Sequence, residues 1–274
     1  MIYRRKIILS ILEQVNKPVE EFQLQNLVYL FCQDQAQPVY EFITDKNGRY
    51  SFTLQADLNG LVKEGSIQKT NQFFSIPAKS NYHIQLKPGD CFLLETKLMQ
   101  YANPVTAAII KNAKAFTEIE NTKLNSGEPV LFTIGYEGIS VEKYFNRLLS
   151  NNIHCLVDVR NNPRSRKPGF SKTSLQDFCN QLGIAYFHYP ELGIRKEFRY
   201  NLKDQYDYDT LLNHYRNDQL QNTKDTQSNI IDLLKKHKRV SLTCFEADVN
   251  QCHRKYLAES IVNLSMFPLS IIHI

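Results

Sequence analysis

The sequence predicts an α/β fold, a mostly parallel sheet with helices on both faces, preceded by a small winged-helix-like α+β domain. Three observations support this fold class. From residue 129 onwards, short apolar segments of strand length alternate with amphipathic segments of helix length. Before residue 78, three segments of helical periodicity precede two short alternating segments around a turn. A polar stretch at 121–128, with serine followed by glycine, separates the two patterns and predicts a linker.

Residues 1–78 are predicted to form the winged-helix-like domain. The first helix carries Ile7 to Val15 and ends before Pro18, because proline breaks a helix. We expect Gly65 to stop the third helix. The second and third helices are expected at 24–31 and 52–62, and strand-like segments at 40–43, 66–69 and 73–76. The segment from Tyr40 to Leu58 also resembles the N-terminal part of Panacea (antitoxin-like) domains, a resemblance that covers about 60 residues.

The charge of this first domain does not favour DNA over a protein partner. Residues 1–78 contain eight Lys and Arg and eight Asp and Glu. The third predicted helix carries Asp57, Lys63 and Glu64, whereas a helix that reads DNA usually presents a cationic face. A protein partner bound through the N-terminal domain is therefore at least as well supported as DNA. The oligomeric state stays open.

Residues 79–128 are expected to form a helical connector and linker, and residues 129–274 an α/β domain. The connector has apolar segments at 92–94 and 105–116. The strands of the second domain are expected at 129–134, 155–159, 184–188, 240–244 and 269–273, and its helices at 140–150, 175–182, 206–217, 228–236 and 253–262.

Composition excludes several classes of protein. Apolar residues make up 42% and charged residues 22% of the chain, which is typical of a soluble globular protein. No apolar run reaches the roughly 20 residues that span a bilayer, and Glu13 follows the short N-terminal apolar run where a signal peptide would place small residues. The six cysteines have no disulfide-framework spacing. We therefore expect a cytoplasmic protein with reduced thiols and no membrane partner.

Polar and ionisable residues follow four of the predicted strands. In an open parallel sheet the loops after the strands meet at one edge, where ligands bind. The segments concerned are 135–138, 158–165, 189–193 and 244–254. The second of them begins a basic stretch, with five Lys and Arg and no acid between Arg160 and Lys172, which is either a solvated loop or an anion contact. Because four distant segments bring such residues to one edge, we expect a functional site there.

The motifs in these segments resemble the domain of unknown function 488 family. They are Thr133-Ile-Gly-Tyr-Glu-Gly138, Leu156-Val-Asp-Val-Arg160 with Pro163-Arg-Ser165, Tyr189 before Leu192-Gly193, and Cys244-Phe-Glu246 followed by Cys252-His-Arg254. The resemblance covers about residues 130–274 and implies a fold and a site, but no reaction. Ile194 departs from the pattern, since many relatives have a second glycine there. Because isoleucine is less permissive than glycine, the backbone at this position is less able to approach a ligand closely.

Five residues of this edge are candidates for binding an anion. Arg160 and Arg164 flank the Pro163 turn, and their planar guanidinium groups suit phosphate or carboxylate. Arg254 opens a predicted helix, whose free N–H groups also favour an anion. The other two candidates are Ser165 and His253.

Five residues are candidates for catalysis. Glu246 is the strongest general acid or base, because a carboxylate among apolar neighbours at a strand end can have a raised pKa. Cys252 stands at a helix start, where the pKa of a thiol falls. The others are Tyr136, Glu137 and Asp158, although Asp158 is equally well explained as a turn cap or a partner of Arg160.

Two cysteines near the last helix leave alternatives open. Cys244 and Cys252 with His253 suggest a metal site, but the spacing Cys-x7-Cys-His lacks a convincing fourth ligand and zinc ligands are usually closer in sequence. Alternatively, Cys252 is a nucleophile or the two thiols are a redox pair, and Cys244 alone is well explained as a small buried apolar residue. The sequence thus predicts no metal and no cofactor.

The preferred hypothesis is an enzyme that acts on a phosphate-bearing substrate, a nucleotide or a nucleic acid. The expected partner is therefore an anionic small molecule or nucleic acid, bound at a cationic cleft. The alternative is a regulator without catalysis, whose α/β domain senses a nucleotide while the first domain binds nucleic acid or a protein. Turnover of a substrate would distinguish the two hypotheses.

Overall fold

The computed structural model describes residues 1–45, 48–77, 81–102, 127–199, 202 and 204–274. The chain divides into two compact units, residues 1–120 and 121–274. Within the described residues, no helix is both long and apolar enough to span a bilayer. The predicted apolar segment at 105–116 and most of the predicted linker lie outside the described residues. The predicted domain limits and the winged-helix assignment stay predictions.

The first unit contains four described helices and two small antiparallel sheets. Its helices are α1 (Tyr3–Val15), α2 (Glu21–Gln33), α3 (Phe52–Lys63) and α4 (Pro88–Ala102), and its strands are β1 (Val19–Glu20), β2 (Ile43–Asp45), β3 (Gly48–Tyr50), β4 (Gln68–Thr70) and β5 (Phe73–Ser75). One sheet has the order β1-β5-β4, and β2 pairs with β3 as a hairpin. The strand predicted from Tyr40 begins only at Ile43, whereas Gly65 ends the third helix as expected, with a φ of 74°.

Apolar side chains of the four helices form the core of the first unit, and one charged cluster is buried beside it. Asp57 of α3 is only 3% exposed and accepts hydrogen bonds from Arg4, Arg5 and Tyr40. Two arginines and a tyrosine thus compensate the burial of the carboxylate. In the sequence, Asp57 argued against a cationic DNA-binding face on the third helix. In the structure its side chain is buried and joins α3 to α1.

The second unit is an α/β domain around a five-stranded parallel sheet. The strands are β6 (Val130–Gly135), β7 (Cys155–Asp158), β8 (Ala185–His188), β9 (Arg239–Cys244) and β10 (Ser270–His273), in the order β10-β6-β9-β7-β8. The helices are α5 (Val141–Ser150), α6 (Lys172–Gln181), α7 (Gln205–His214), α8 (Lys224–His237) and α9 (His253–Leu264). Each neighbouring pair is parallel, which confirms the predicted fold class.

Helices cover both faces of this sheet. Leu131, Val157 and Leu242 pack with apolar residues of α8 and α9 on one face. On the other face, the Tyr144 hydroxyl of α5 donates a hydrogen bond to Thr243 of β9 at 2.8 Å. Strands covered on both sides bury nearly all their side chains, and every residue of β6 and β7 is buried. Polar side chains of the sheet are therefore accessible to solvent mainly at the ends of the strands.

Candidate functional site

The loops after β6, β7 and β9 lie in direct contact at the carboxyl edge of the sheet. The backbone N–H groups of Tyr136 and Glu137 both donate to the carbonyl of Phe245, at 3.1 and 2.9 Å. Gly135 permits this approach, because a Cβ atom there would lie 1.9 Å from the carbonyl oxygen of Glu246. Gly193 has the same role, since its Cβ would lie 2.0 Å from the backbone nitrogen of Asn161. Both glycines therefore permit contacts between backbone segments of the protein.

Asp158 and Arg160 form a buried ion pair behind the edge. Asp158 is 0% and Arg160 5% exposed, and their side chains meet in two hydrogen bonds of 2.8 and 2.5 Å. The backbone N–H of Arg160 and the hydroxyl of Tyr186 also donate to the carboxylate. Burial opposes the charge of the guanidinium, but the bonds to Asp158 outweigh it and raise the pKa of Arg160. Asp158 thus takes both structural roles that the sequence suggested, because it accepts from the backbone N–H of the turn and pairs with the Arg160 side chain.

The other hydrogen bonds of Arg160 go to a group of aromatic residues, Tyr136, Phe170 and Phe245, which we call the aromatic wall. Its Nη1 donates to the Tyr136 hydroxyl at 2.7 Å and to the carbonyl of Phe170 at 2.8 Å. The Tyr136 ring stacks on Phe170 with 4.3 Å between centroids, and the Phe245 ring meets Tyr136 edge-on. Tyr136 is thus fixed in position, with a hydroxyl group that accepts a hydrogen bond from an arginine.

A cavity of about 590 Å³ opens in front of this wall. We call it the basic cavity. It is lined by Tyr136, Arg160, Asn161, Asn162, Arg164, Ser165, Arg166, Lys167, Ile194, Lys196, Arg199, Cys244 and Phe245. Six of these residues are Lys or Arg, and none of the described lining residues is acidic. Clefts with charge of one sign focus the electric field and concentrate ligands of the opposite charge.

Three of the six cations have partners inside the protein. Arg160 pairs with Asp158, Lys167 donates to the carbonyl of Tyr136 at 2.5 Å, and Arg199 donates to Glu246 at 3.1 Å. Burial also lowers the pKa of Lys167. The exposed side chains of Arg164, Arg166 and Lys196 have no ion-pair partner among the described residues. These three cations are the ones available to a ligand.

Arg254 and Glu137 lie outside the lining of the basic cavity and hold the loop after β9. Arg254 is 2% exposed, and its guanidinium donates to the carbonyls of Glu246 and Ala247. Glu137 accepts a hydrogen bond from the backbone N–H of Ala247 at 3.0 Å. Arg160 and Arg164 therefore meet in one cavity as predicted, whereas Arg254 does not join them, because backbone carbonyls occupy its Nη atoms.

A second buried cluster lies beside the cavity, and Cys244 belongs to both the cluster and the cavity lining. We call Cys244, Glu246, Cys252 and His253 the cysteine cluster. The sulfur atoms of Cys244 and Cys252 lie 3.0 and 3.1 Å from Glu246 Oε2, and 3.7 and 4.0 Å from His253 Nδ1. The four potential ligand atoms all lie within 4.8 Å of one another, so this donor set is able to hold a metal ion. His253, predicted to bind an anion, is instead buried in this cluster.

The pKa shifts in the cysteine cluster have a common origin. Burial opposes ionisation of Cys244, but its hydrogen bond with Cys252 and the charge of His253 lower the pKa of this thiol. Burial and the adjacent Cys244 raise the pKa of Cys252. Burial and the charge of Cys244 also raise the pKa of Glu246, as the sequence suggested for this carboxylate. Burial lowers the pKa of His253, but the charge of Cys244 outweighs it and raises the value. Several acidic groups thus share one small buried volume.

Two cavity residues, Arg199 and Lys196, were not among the candidates that the sequence suggested. They come from the loop after β8, where Lys196–Phe198 forms a single turn of 3-10 helix. The signal was present, because Arg195, Lys196 and Arg199 form a second group of basic residues, interrupted by Glu197, in the loop that follows the predicted strand at 184–188. Ile194 is buried and lines the cavity with an apolar side chain. Ser165 also lines it, and its hydroxyl accepts from the backbone N–H of Lys167.

Comparison with known families identifies part of the second unit. Residues 140–261 match the model of the family described as domain of unknown function DUF488. This match confirms the predicted resemblance, and it includes the Asp158–Arg160 pair, Arg164 and the whole cysteine cluster. Tyr136 and Glu137 precede the matched range. No curated protein and no solved structure matches the chain.

Proposed function

We propose that the second unit is an enzyme that acts on a phosphate-bearing substrate, a nucleotide or a nucleic acid, bound in the basic cavity. The proposal rests on three exposed cations around one cavity, Arg164, Arg166 and Lys196, which have no ion-pair partner among the described residues. None of the described residues that line this cavity is acidic. Guanidinium groups bind phosphate through paired hydrogen bonds, and an ammonium group adds charge without restricting orientation.

The aromatic wall of the cavity suits a nucleotide better than a bare phosphate ion. Phe245 lines the cavity and is 41% exposed, so part of its ring is open to a ligand. A nucleobase gains about 1–3 kcal/mol when it stacks on an aromatic side chain. Phe245 would thus contact the base while the exposed cations contact the phosphates.

The enzymatic part of the proposal rests on the position of Cys244 and Tyr136. Both residues line the cavity that holds the cations, so a bound phosphate ester would lie near a thiol and a hydroxyl group. Functional sites commonly combine such ionisable groups with a charged cavity. Glu246 lies behind Cys244 and would act on a substrate only through that residue or after a movement of Arg199.

A ligand panel tests the proposal on the full chain. It contains inorganic phosphate, nucleoside mono-, di- and triphosphates, and short single-stranded DNA and RNA. Binding is measured by titration calorimetry at two salt concentrations, and products are sought by chromatography and mass spectrometry. We expect at least one ligand to bind more weakly at high salt and to be converted to product. Binding without conversion would favour the regulator, and a panel without any binding would contradict the proposal.

Arg164→Ala provides the matched test of the cavity. Loss of a charge-assisted hydrogen bond costs about 1.5–3 kcal/mol, so the variant should bind the best phosphate ligand roughly 10- to 150-fold more weakly. Arg147→Ala is the control, because Arg147 is also exposed but lies in the last turn of α5, at the opposite edge of the sheet. Equal losses of affinity in both variants would indicate a general charge effect and contradict a site in the basic cavity.

A further inference from the structure

We propose that Cys244, Glu246, Cys252 and His253 bind one zinc ion. The site would be a structural centre at the carboxyl edge of the sheet, next to the basic cavity. The zinc site requires neither a phosphate-bearing ligand nor the cations of the cavity, but it takes Cys244 and Glu246 as ligands and would leave Tyr136 as the reactive group of the proposed enzyme. It also replaces the sequence-based expectation that the chain holds no metal, since the fold now supplies the missing fourth ligand.

The spacing of the four donor atoms fits a tetrahedral ion. With zinc bonded to sulfur at about 2.3 Å and to nitrogen or oxygen at about 2.0–2.2 Å, the ligand atoms of a tetrahedron lie roughly 3.3–3.8 Å apart. The two sulfur atoms lie 3.0–3.1 Å from Glu246 Oε2 and 3.7–4.0 Å from His253 Nδ1. All four ligand atoms lie within 4.8 Å of one another, so shifts of up to about 1 Å would complete the coordination.

The ring of His253 is already oriented as a ligand. Its Nε2 lies 3.1 Å from the carbonyl oxygen of Val159, which only accepts hydrogen bonds, so the proton must be on Nε2. The lone pair of neutral Nδ1 then points towards the two sulfur atoms. Metal-bound histidines almost always use their second nitrogen in this way, because the hydrogen bond fixes the tautomer and the ring. The ring also packs edge-on against buried Tyr215.

Charge balance favours a divalent cation in this cluster. Two thiolates and one carboxylate would carry three negative charges, and a zinc ion supplies two positive charges. Arg199 supplies the third through its contacts with Glu246 Oε1 and Cys244. The charge of Arg254 also acts on Cys252, although its Nη atoms donate to the carbonyls of Glu246 and Ala247. Zinc would thus neutralise acidic groups whose isolated burial is costly.

The donor set selects zinc among the common metals. Two thiolates and an imidazole suit zinc, whereas calcium and magnesium prefer a shell of oxygen atoms. Cys244 is 0% and Cys252 and His253 are each 1% exposed, so exchange with solvent would be slow. All four ligands come from the segment 244–253, which runs from the end of β9 to the start of α9. The ion would therefore fix this connection.

The metal content of the full chain tests the proposal directly. The protein is purified with reductant and without chelator, and its metals are measured by mass spectrometry after acid digestion. We expect about one zinc ion per chain. The zinc-free protein, prepared with a strong chelator, is then titrated with cobalt(II). It should show intense thiolate-to-cobalt charge-transfer absorption that saturates at about one equivalent and disappears when zinc is added.

Variants assign the ligands. Cys252→Ser should lose the zinc and the charge-transfer absorption, whereas Cys179→Ser, which changes an equally buried thiol in α6, should keep both. Glu246→Gln should keep the charge-transfer absorption but shift the visible cobalt bands and weaken zinc binding, because only the oxygen ligand changes. If Cys252→Ser does not fold, the wild-type cobalt titration still decides the question.

Three results would overturn the proposal. The first is a folded, reduced wild-type protein that takes up neither zinc nor cobalt. The second is zinc binding that Cys252→Ser and Cys179→Ser retain equally, which would place the ion elsewhere. The third is a chain that binds no metal and instead oxidises to a Cys244–Cys252 disulfide, which would make the two thiols a redox pair.

Discussion

Two buried polar clusters lie at the carboxyl edge of the same sheet, and they differ in how their charges are balanced. In the Asp158–Arg160 pair, the carboxylate receives four hydrogen bonds from Arg160 and Tyr186. The cysteine cluster concentrates two thiols and a carboxylate around one imidazole, and Arg199 contacts it at Glu246 Oε1 and at Cys244. A buried group whose charge and hydrogen bonds are already satisfied supports the scaffold, whereas an unbalanced cluster of donors is a candidate for a ligand.

The same contrast separates the arginines of this edge. Arg160 and Arg254 are buried and their bonds go to groups of the protein, whereas Arg164 is exposed and its side chain has no ion-pair partner among the described residues. All three were predicted to bind an anion, because the sequence shows only that they follow strand ends. Burial and partners therefore distinguish roles that residue type and position leave equal.

The largest effect should follow loss of the balanced ion pair. Asp158→Ala leaves Arg160 charged and buried without its carboxylate, which typically costs about 3–5 kcal/mol. Urea denaturation of the full chain, followed by a probe of the second unit, measures this loss. Asp177→Ala is the control, because Asp177 is exposed on α6 and should change the free energy of unfolding by less than about 0.5 kcal/mol. A stable Asp158→Ala protein without activity would show that the carboxylate serves catalysis instead.

A smaller loss of stability is expected for Arg254→Met. Methionine keeps much of the apolar stem but removes the donors to the carbonyls of Glu246 and Ala247. Hydrogen bonds from a charged donor contribute about 1.5–3 kcal/mol, and the same denaturation experiment would detect their loss. The adjacent Lys255→Met is the control, since Lys255 is partly exposed and donates to Asn250. If Arg254→Met keeps its stability and weakens a phosphate ligand, the sequence-based role of Arg254 in anion binding is correct.

The fold of the second unit was predictable because its signals are local and repeated. Continuous apolar segments gave the buried strands, and Gly183 ended α6 with a φ of 71°. The site was predictable as a set of residues at one edge, because parallel strands bring their ends together. Pairing of Asp158 with Arg160 was among the sequence-based readings, whereas the pairings between residues distant in sequence were not predictable. Arg199 reaches Glu246 across 47 positions of the chain, and Glu137 reaches Ala247 across 110. Such contacts depend on tertiary packing.

The metal site that the sequence suggested also depends on a tertiary contact that the sequence does not show. The spacing Cys-x7-Cys-His suggests three ligands, and Glu246 lies between the two cysteines in the sequence. Its carboxylate becomes the fourth donor only because the loop after β9 folds back over the start of α9, held by Arg254 and Glu137. The two residues outside the cavity lining thus position the loop that carries the cysteine cluster.

The smallest effect, and the finest test of this comparison, is expected for Glu137. Its Oε2 accepts one hydrogen bond from the backbone N–H of Ala247, and the side chain is exposed. Glu137→Gln keeps an oxygen acceptor in the same place, so the free energy of unfolding should change by less than about 0.5 kcal/mol, whereas Glu137→Ala should lose about 0.5–1.5 kcal/mol. If Glu137 were a catalytic base, Glu137→Gln would instead lose activity while keeping its stability, since glutamine keeps the shape but not the proton-accepting group. Thermal or urea denaturation of both variants, with turnover of the best panel ligand, separates the two accounts. Full stability with lost turnover in Glu137→Gln would place this residue in the catalytic machinery and remove it from the scaffold.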